Sequence, residues 1–298
     1  MHSLTIGSHS LNWGQRTYVM GILNFTPDSF SGDGLLLPAS TDRLPEGQEP
    51  GVREGRRFIE AGADILDIGG ESTRPGSQPV DADEELRRVL PSLRAILAEF
   101  PDALVSIDTY KAVVAEEALK AGASIINDVW GLRADPGLAR VIARYQAAVV
   151  LMHNRSKPAS VEVRERLGNA YIGAEYQDLL PDVKGELLES VDIARSAGIP
   201  DEHIILDPGI GFGKTVAQNL ELINRLDEIR ALGFPVLLGP SRKSFIGYTL
   251  NLPPDQRLEG TAACVAIGIA RGADIVRVHD VEPMQRVARM TDAIVRKK

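Results

Sequence analysis

The chain has one cysteine, Cys264, among 298 residues. A lone thiol forms no internal disulfide and builds no multi-cysteine metal site. Within the apolar run TAACVAIGIA it reads as a small buried helix residue. No apolar run approaches the ~18 residues that a membrane span needs. The opening MHSLTIGSHSLNWG has no basic stretch followed by a long apolar one, so no signal peptide is expected. These absences predict a cytoplasmic protein with no membrane partner. An excess of positive charge is also missing. The net charge of −8 argues against a general nucleic-acid binder. It leaves room for an anionic substrate held by a local cluster of Arg, Lys and His.

The apolar content of 44% suffices for a large core. The length fits one α/β barrel, which commonly takes about 250 residues. No linker divides the chain, so residues 1–298 are expected to form a single domain. Residues 4–17 alternate weakly between turn formers and predict a short β-hairpin, a structural plug for one end of the core. Eight apolar, β-branched strands then follow in YVMGILNFT, GADILDIGG, ALVSIDT, SIINDVW, AAVVLMHN, IILDPGI, PVLLGPS and DIVRVHD. Helical patterning follows each, at 51–61, 82–99, 111–121, 136–145, within 171–197, and at 216–231, 258–271 and 282–296. Helix 82–99 shows the clearest stripe, Leu86, Val89, Leu90, Leu93, Ile96 and Leu97. Pro91 inside it predicts a kink or a late start. The segment 32–50 has no periodicity and reads as a long mobile loop, of a length that is usually functional or disordered.

Near-continuous hydrophobicity suits parallel strands buried on both faces. Eight βα units predict a (β/α)8 TIM barrel with an N-terminal β-hairpin; a doubly wound open sheet is the alternative. In such a barrel the site lies at the C-terminal strand ends. Those ends carry Asn24; Asp67; Asp108 and Thr109; Asn127 and Asp128; Met152, His153 and Asn154; Asp207; Ser241, Arg242 and Lys243; and Arg277 and His279. Singly, each could cap a helix; together they predict one converging site.

The set sorts by chemistry. Asp108, Asn127, Asp207 and Lys243 suit a flat heterocycle with amine and carbonyl edges. The Asp207 carboxylate can accept two parallel hydrogen bonds from an N–C–N edge. Arg74, Arg277 and His279, with Asn24 and Thr73, suit a polyphosphate, with or without a metal. Two tempting motifs fail. GIGFGKT has Pro208 where a P-loop needs Gly, and Lys214 falls where a dinucleotide fingerprint needs its last Gly.

The motifs MGILNFTPDSFS, GADILDIGGESTRPG, SIDTYKA, INDVWGL, LDPGIGFGKT, GPSRKSFIG, EGTAA and RVHDV stand in this order from about residue 18 to 295. With them the chain resembles the dihydropteroate synthase family. The resemblance implies a (β/α)8 barrel joining 6-hydroxymethyl-7,8-dihydropterin pyrophosphate to p-aminobenzoate, the target of sulfonamides. By motif position, Asp108, Asn127, Asp207 and Lys243 would hold the pterin, with Met152 against its ring. Asn24, Thr73, Arg74, Arg277 and His279 would handle the pyrophosphate, Asn24 helping to bind Mg²⁺. Phe30, Thr73, Pro75, Phe212, Ser241 and Lys243 would border the p-aminobenzoate pocket. Asp108, Asp207, Lys243, Arg277 and His279 would carry the catalysis. The family is commonly a homodimer.

Three features depart from the family pattern. The first loop reads SFSGDG where SFSDGG is common, and runs longer. Phe25 stands where Val is frequent. The segment MHNRSKP replaces an MHMRG-like form. Two other readings share the pterin acids: a methyltetrahydrofolate methyltransferase and a non-catalytic pterin-binding paralogue. The SRK loop and the RVH cluster speak against the first. The retained Asn24, Thr73, Arg74, Arg277 and His279 speak against the second.

Overall fold

The computed structural model describes residues 3–7, 9–25, 50–73, 76–156, 161–162, 166–168, 170–171 and 173–296. The expected loop 32–50 lies almost wholly outside them, as do Phe30, Arg74 and Pro75. The N-terminal hairpin is present as β1 (Leu4–Ile6) and β2 (His9–Leu11), paired antiparallel. Eight parallel strands form the main sheet. In chain order, with the short ribbon β8 (Val161–Glu162) and β9 (Ala170–Tyr171) set apart, they are β3 (Tyr18–Asn24), β4 (Ile65–Gly69), β5 (Val105–Asp108), β6 (Ile125–Asp128), β7 (Ala148–Met152), β10 (Ile204–Asp207), β11 (Leu237–Leu238) and β12 (Ile275–Val278). Each pairs with its neighbour around the ring, and β12 returns to β3. A parallel bridge between Leu206 and Val236 brings β10 beside β11 and closes the barrel.

Side-chain alternation sorts each strand between two cores. Outward-facing Val19, Leu66, Ile68, Ile107, Ile126, Leu151, Leu206 and Val276 pack against the helical layer. Inward-facing Met20, Ile65, Ile125, Val150, Ile205, Leu237 and Ile275 form a second cluster with Leu4, Leu11 and Trp13 of the hairpin segment. The hairpin therefore seals the N-terminal end with apolar side chains, as a plug should. The inward parity continues upward through Asp67, Asp108, Asn127, Met152, Asp207 and Arg277. The apolar plug and the polar mouth are two ends of one alternation.

The helical layer comprises α1 (Pro50–Glu60), α2 (Ala82–Glu99), α3 (Ala112–Lys120), α4 (Leu138–Tyr145), α5 (Leu179–Ser196), α6 (Val216–Asn224), α7 (Leu226–Arg230), α8 (Ser244–Leu250), α9 (Leu258–Ala270) and α10 (Val281–Val295). Four details differ from expectation. Helix 216–231 is divided at Arg225, which adopts φ −113° and caps α6. Residues 244–250, read as loop, form α8. The antiparallel ribbon β8–β9 lies in a segment whose sequence reads as polar loop. Finally, α2 runs unbroken past Pro91. Pro91 lies on the exposed side, where water can satisfy the carbonyl that its missing N–H leaves free. Among the described residues no helix is long and apolar enough to cross a membrane.

Candidate active site

The site is built where the inward parity turns polar. Register places Gly69 beside Asp108, Asp108 beside Asn127, and Asp207 beside Met152. Arg277, two residues above the apolar Ile275, reaches across the barrel. Its Nε donates to Asp67 Oδ2 at 2.5 Å and its Nη2 to Asp108 Oδ2 at 2.7 Å. Asn127 Nδ2 donates to the same Asp67 oxygen at 3.1 Å. Burial pushes the Asp108 carboxyl up to about 7, against the opposing pull of Arg277. For Arg277, burial would lower the guanidinium, but the charges of Asp67 and Asp108 outweigh it and raise it. Among the described residues Asp67 Oδ1 is buried without a hydrogen-bond partner, so this carboxylate depends on Arg277 and Asn127.

Asp207 ends β10 with 6% of its surface exposed. Its Oδ1 accepts the Gly209 N–H at 2.7 Å. Burial raises its carboxyl, and the charge of Lys243 holds it down. Lys243 itself is pushed down to about 8 by burial, with Asp207 opposing. Lys243 Nζ donates to Ile210 O and sits 4.6 Å from the centre of the Phe212 ring. The turn needs its glycines. Gly209 has φ +71°, and a Cβ there would collide with His153 O; Gly211 has φ +84°, and a Cβ would come within 2.8 Å of Lys243 Cδ. Thr215 then starts α6 with a capping box, its N–H donating to Gln218 Oε1 at 2.8 Å. Such a cap is worth about 1 kcal/mol.

The adjoining wall comes from the turn after β11, the strand next to β10. Arg242 adopts φ +55°, a conformation costly outside glycine. It is held there by two hydrogen bonds to Asp280, at 2.9 and 2.6 Å, and by its N–H on Thr261 Oγ1 at 3.1 Å. This strained turn points Ser241 toward His279, whose Nδ1 lies 3.0 Å from Ser241 Oγ. Thr73 is half-buried on the loop after β4. That loop starts at Glu71, which pairs with Lys111, and Lys111 also pairs with the buried Glu85.

The structure thus gathers Asn24, Asp108, Asn127, Met152, Asp207, Lys243 and Arg277 at one mouth. Phe212, Ser241 and His279 stand on the turns above it. The sequence suggested two separate sets, one for a heterocycle and one for phosphates; Arg277 on Asp108 joins them. In the sequence Asp67 is no more than a strand-end acid. Its inward parity, two residues below Gly69, was the available signal. Other strand-end residues turn away, Asp128 and His153 among them. Asp128 faces outward and accepts the Trp130 and Leu132 N–H groups, at 2.8 and 2.5 Å. His153 faces outward and packs under the Gly-rich turn.

The family of pterin binding enzymes matches residues 20–279. A dihydropteroate synthase from Clostridium beijerinckii is 50% identical over 295 residues, covering 99% of this chain and 100% of that protein. This chain belongs to the dihydropteroate synthase family. Solved members share its fold. The dihydropteroate synthase of Clostridium difficile, solved in the presence of pteroic acid, is 48% identical with a TM-score of 0.82, covering 96% of this chain and 99% of that one. The Yersinia pestis dihydropteroate synthase, solved with a sulfonamide drug complex, is 38% identical with a TM-score of 0.86, covering 98% and 99%.

Proposed function

We propose that this barrel condenses 6-hydroxymethyl-7,8-dihydropterin pyrophosphate with p-aminobenzoate to give 7,8-dihydropteroate and pyrophosphate. The observation that carries the reading is the buried carboxylate Asp207 facing Lys243, one oxygen already held by Gly209. A carboxylate and an ammonium side by side match the amino and carbonyl edges of a pterin. Asp108 and Asn127 extend the same polar wall, and Met152 packs against the ring face.

In the reaction the methylene C–O bond breaks and its electron pair leaves on pyrophosphate. The arylamine nitrogen attacks the methylene carbon and gives its proton to solvent. Asp108 and Asp207 favour an electron-poor pterin. Arg277 and His279, with Arg74, stabilise the leaving group. Removing one such preorganised group typically costs about 10²–10³ in rate. Phe212, Ser241 and the stem of Lys243 border the arylamine, with Thr73, Pro75 and Phe30 completing the pocket in this reading.

Mg²⁺ belongs to the proposal. Among the described residues no group of three or more His, Cys, Asp or Glu could hold a metal alone. A cation with few protein ligands fits better: a Cβ on Gly69 would lie 3.4 Å from Asn24 Oδ1 and 3.9 Å from Asp108 Oδ2. Hard oxygen donors around a small gap suit an ion that takes its other ligands from phosphate and water. Bound there, Mg²⁺ would neutralise charge developing on the pyrophosphate, with Asn24 holding it. The reading also includes a homodimer in the cytoplasm. Exposed Ile267, Met290 and Ile294 on the neighbouring helices α9 and α10 support the pairing. The decisive experiment mixes purified protein with both substrates and Mg²⁺ and follows dihydropteroate by chromatography. Well-folded protein that makes none would refute the proposal.

A further inference from the structure

The proposed chemistry leaves Lys214 unused, yet the fold spends a buried cation on it. Lys214 is 4% exposed. Its Nζ lies 3.0 Å from Gly209 O, 3.0 Å from Phe212 O and 3.0 Å from His153 Nδ1. An ammonium has three donors and no acceptor, and here it meets three acceptors. The third, His153, is 1% exposed. Accepting at Nδ1 leaves the ring proton on Nε2, which lies 3.2 Å from Glu186 Oε2. Glu186 is held in turn by Arg155, at 2.6 Å from Nε, and by Arg133 at 3.3 Å. Burial pushes Lys214 down to about 7 and His153 down to about 4. A group this costly to bury is an inefficient filler where an apolar side chain would pack as well.

What Lys214 grips is specific. Its two backbone acceptors, residues 209 and 212, flank Ile210 and Gly211. Ile210 O receives Lys243 Nζ, the Gly209 N–H holds Asp207, and the Phe212 ring faces Lys243. One ammonium therefore sets the curvature of the turn that carries the aromatic wall. It ties that turn to the segment after β7, where Gly213 passes so close that a Cβ would come within 2.7 Å of the Arg155 and Ser156 backbone.

We propose that Lys214 is a positioning residue for the arylamine substrate: by clamping the Gly209 and Phe212 carbonyls to His153, it fixes the Phe212–Lys243 wall that receives the second substrate, without touching that substrate. This rests on the function proposed above. A misplacement of about 1 Å in a positioning group can cost up to ~10²-fold, so the effect should be measurable.

The test compares wild type with Lys214→Met, which keeps length and loses the donors, and Lys214→Gln, which keeps two donors. Steady-state kinetics vary each substrate separately, and calorimetry measures binding of the pterin pyrophosphate alone. The expected result for Lys214→Met is a KM for p-aminobenzoate raised about tenfold or more. The KM and Kd for the pterin pyrophosphate should rise at least severalfold less, because Asp207 is anchored by β10 as well as by the Gly209 N–H, with Lys214→Gln intermediate. If Lys214→Met does not fold, Lys214→Gln is read alone against the same split. An unchanged KM for p-aminobenzoate, or equal losses for both substrates, would overturn the proposal and leave Lys214 a structural pin. A wild-type protein that forms no dihydropteroate would overturn the functional reading, and this inference with it.

Discussion

Acid should loosen this barrel through His153. Its ring is 1% exposed. Burial first, and the charge of Lys214 second, push it down from 6.5 to about 4. The unfolded chain takes up a proton near 6.5, while the folded chain refuses it until about 4. The folded value is depressed, so this contribution is complete above pH 6.5 and is lost as pH falls toward 4. At about 1.4 kcal/mol per unit, the loss is about 3 kcal/mol. The neighbours act in other windows. Lys214, lowered from 10.5 to about 7, loses its contribution between those values. Glu186, held far below the ordinary carboxylate range by His153 and Arg155, loses its own only below about 4.5. Asp108 and Asp128 oppose the trend. Burial raises them to about 7 and about 6, so both gain stability as pH falls. A difference measurement removes them. His153→Asn keeps an acceptor for Lys214 and deletes the titrating ring. Urea unfolding of both proteins at pH 7.5, 6.5, 5.5 and 4.5 gives the comparison. Wild type should be the more stable at pH 7.5, and its advantage should shrink by about 2–3 kcal/mol at pH 4.5. A constant difference across the series would refute the reasoning.

Other outcomes follow from the site. Asp207→Asn removes the charge behind two pterin hydrogen bonds and should weaken pterin binding about 100-fold by calorimetry; unchanged affinity would take Asp207 out of the site. Arg277→Ala should hit the pyrophosphate substrate harder than a pterin lacking phosphate. It should also cost about 3–5 kcal/mol of stability, because it strands the buried Asp67; equal affinity losses with unchanged melting would contradict both parts. Sulfonamides should compete with p-aminobenzoate in initial-rate plots, and a non-competitive pattern would place the second substrate elsewhere. Chelation should abolish turnover and Mg²⁺ should restore it, with Asn24→Ala needing more Mg²⁺ than wild type.

The barrel was legible because its rhythm is local. Eight apolar strands alternate with amphipathic helices, and parity alone places Asp108, Asp207 and Arg277 on the inner surface. What was not legible depends on contacts distant in sequence. Between β11 and α8 the chain makes the positive-φ turn at Arg242, which is held by Asp280, 38 positions away. The break at Arg225 gives no pattern, since Arg is an ordinary helix former. Asp67 and Arg277 stand 210 positions apart, so no local signal announces their pairing. Lys214 shows the same limit. In the sequence it is only the lysine of a failed P-loop, and the fold brings His153, 61 positions away, to its Nζ. Glu71 and Lys111 lie within recognisable motifs, but their pairing beneath the loop of Thr73 is again a product of packing.

The central claim is that this mouth joins two substrates. Purified protein should be incubated with the pterin pyrophosphate, p-aminobenzoate and Mg²⁺, and dihydropteroate and pyrophosphate quantified together. The account predicts that both appear in equal amounts, and that Asp207→Asn sharply reduces both. Pterin bound tightly by a folded protein that releases neither product would contradict it.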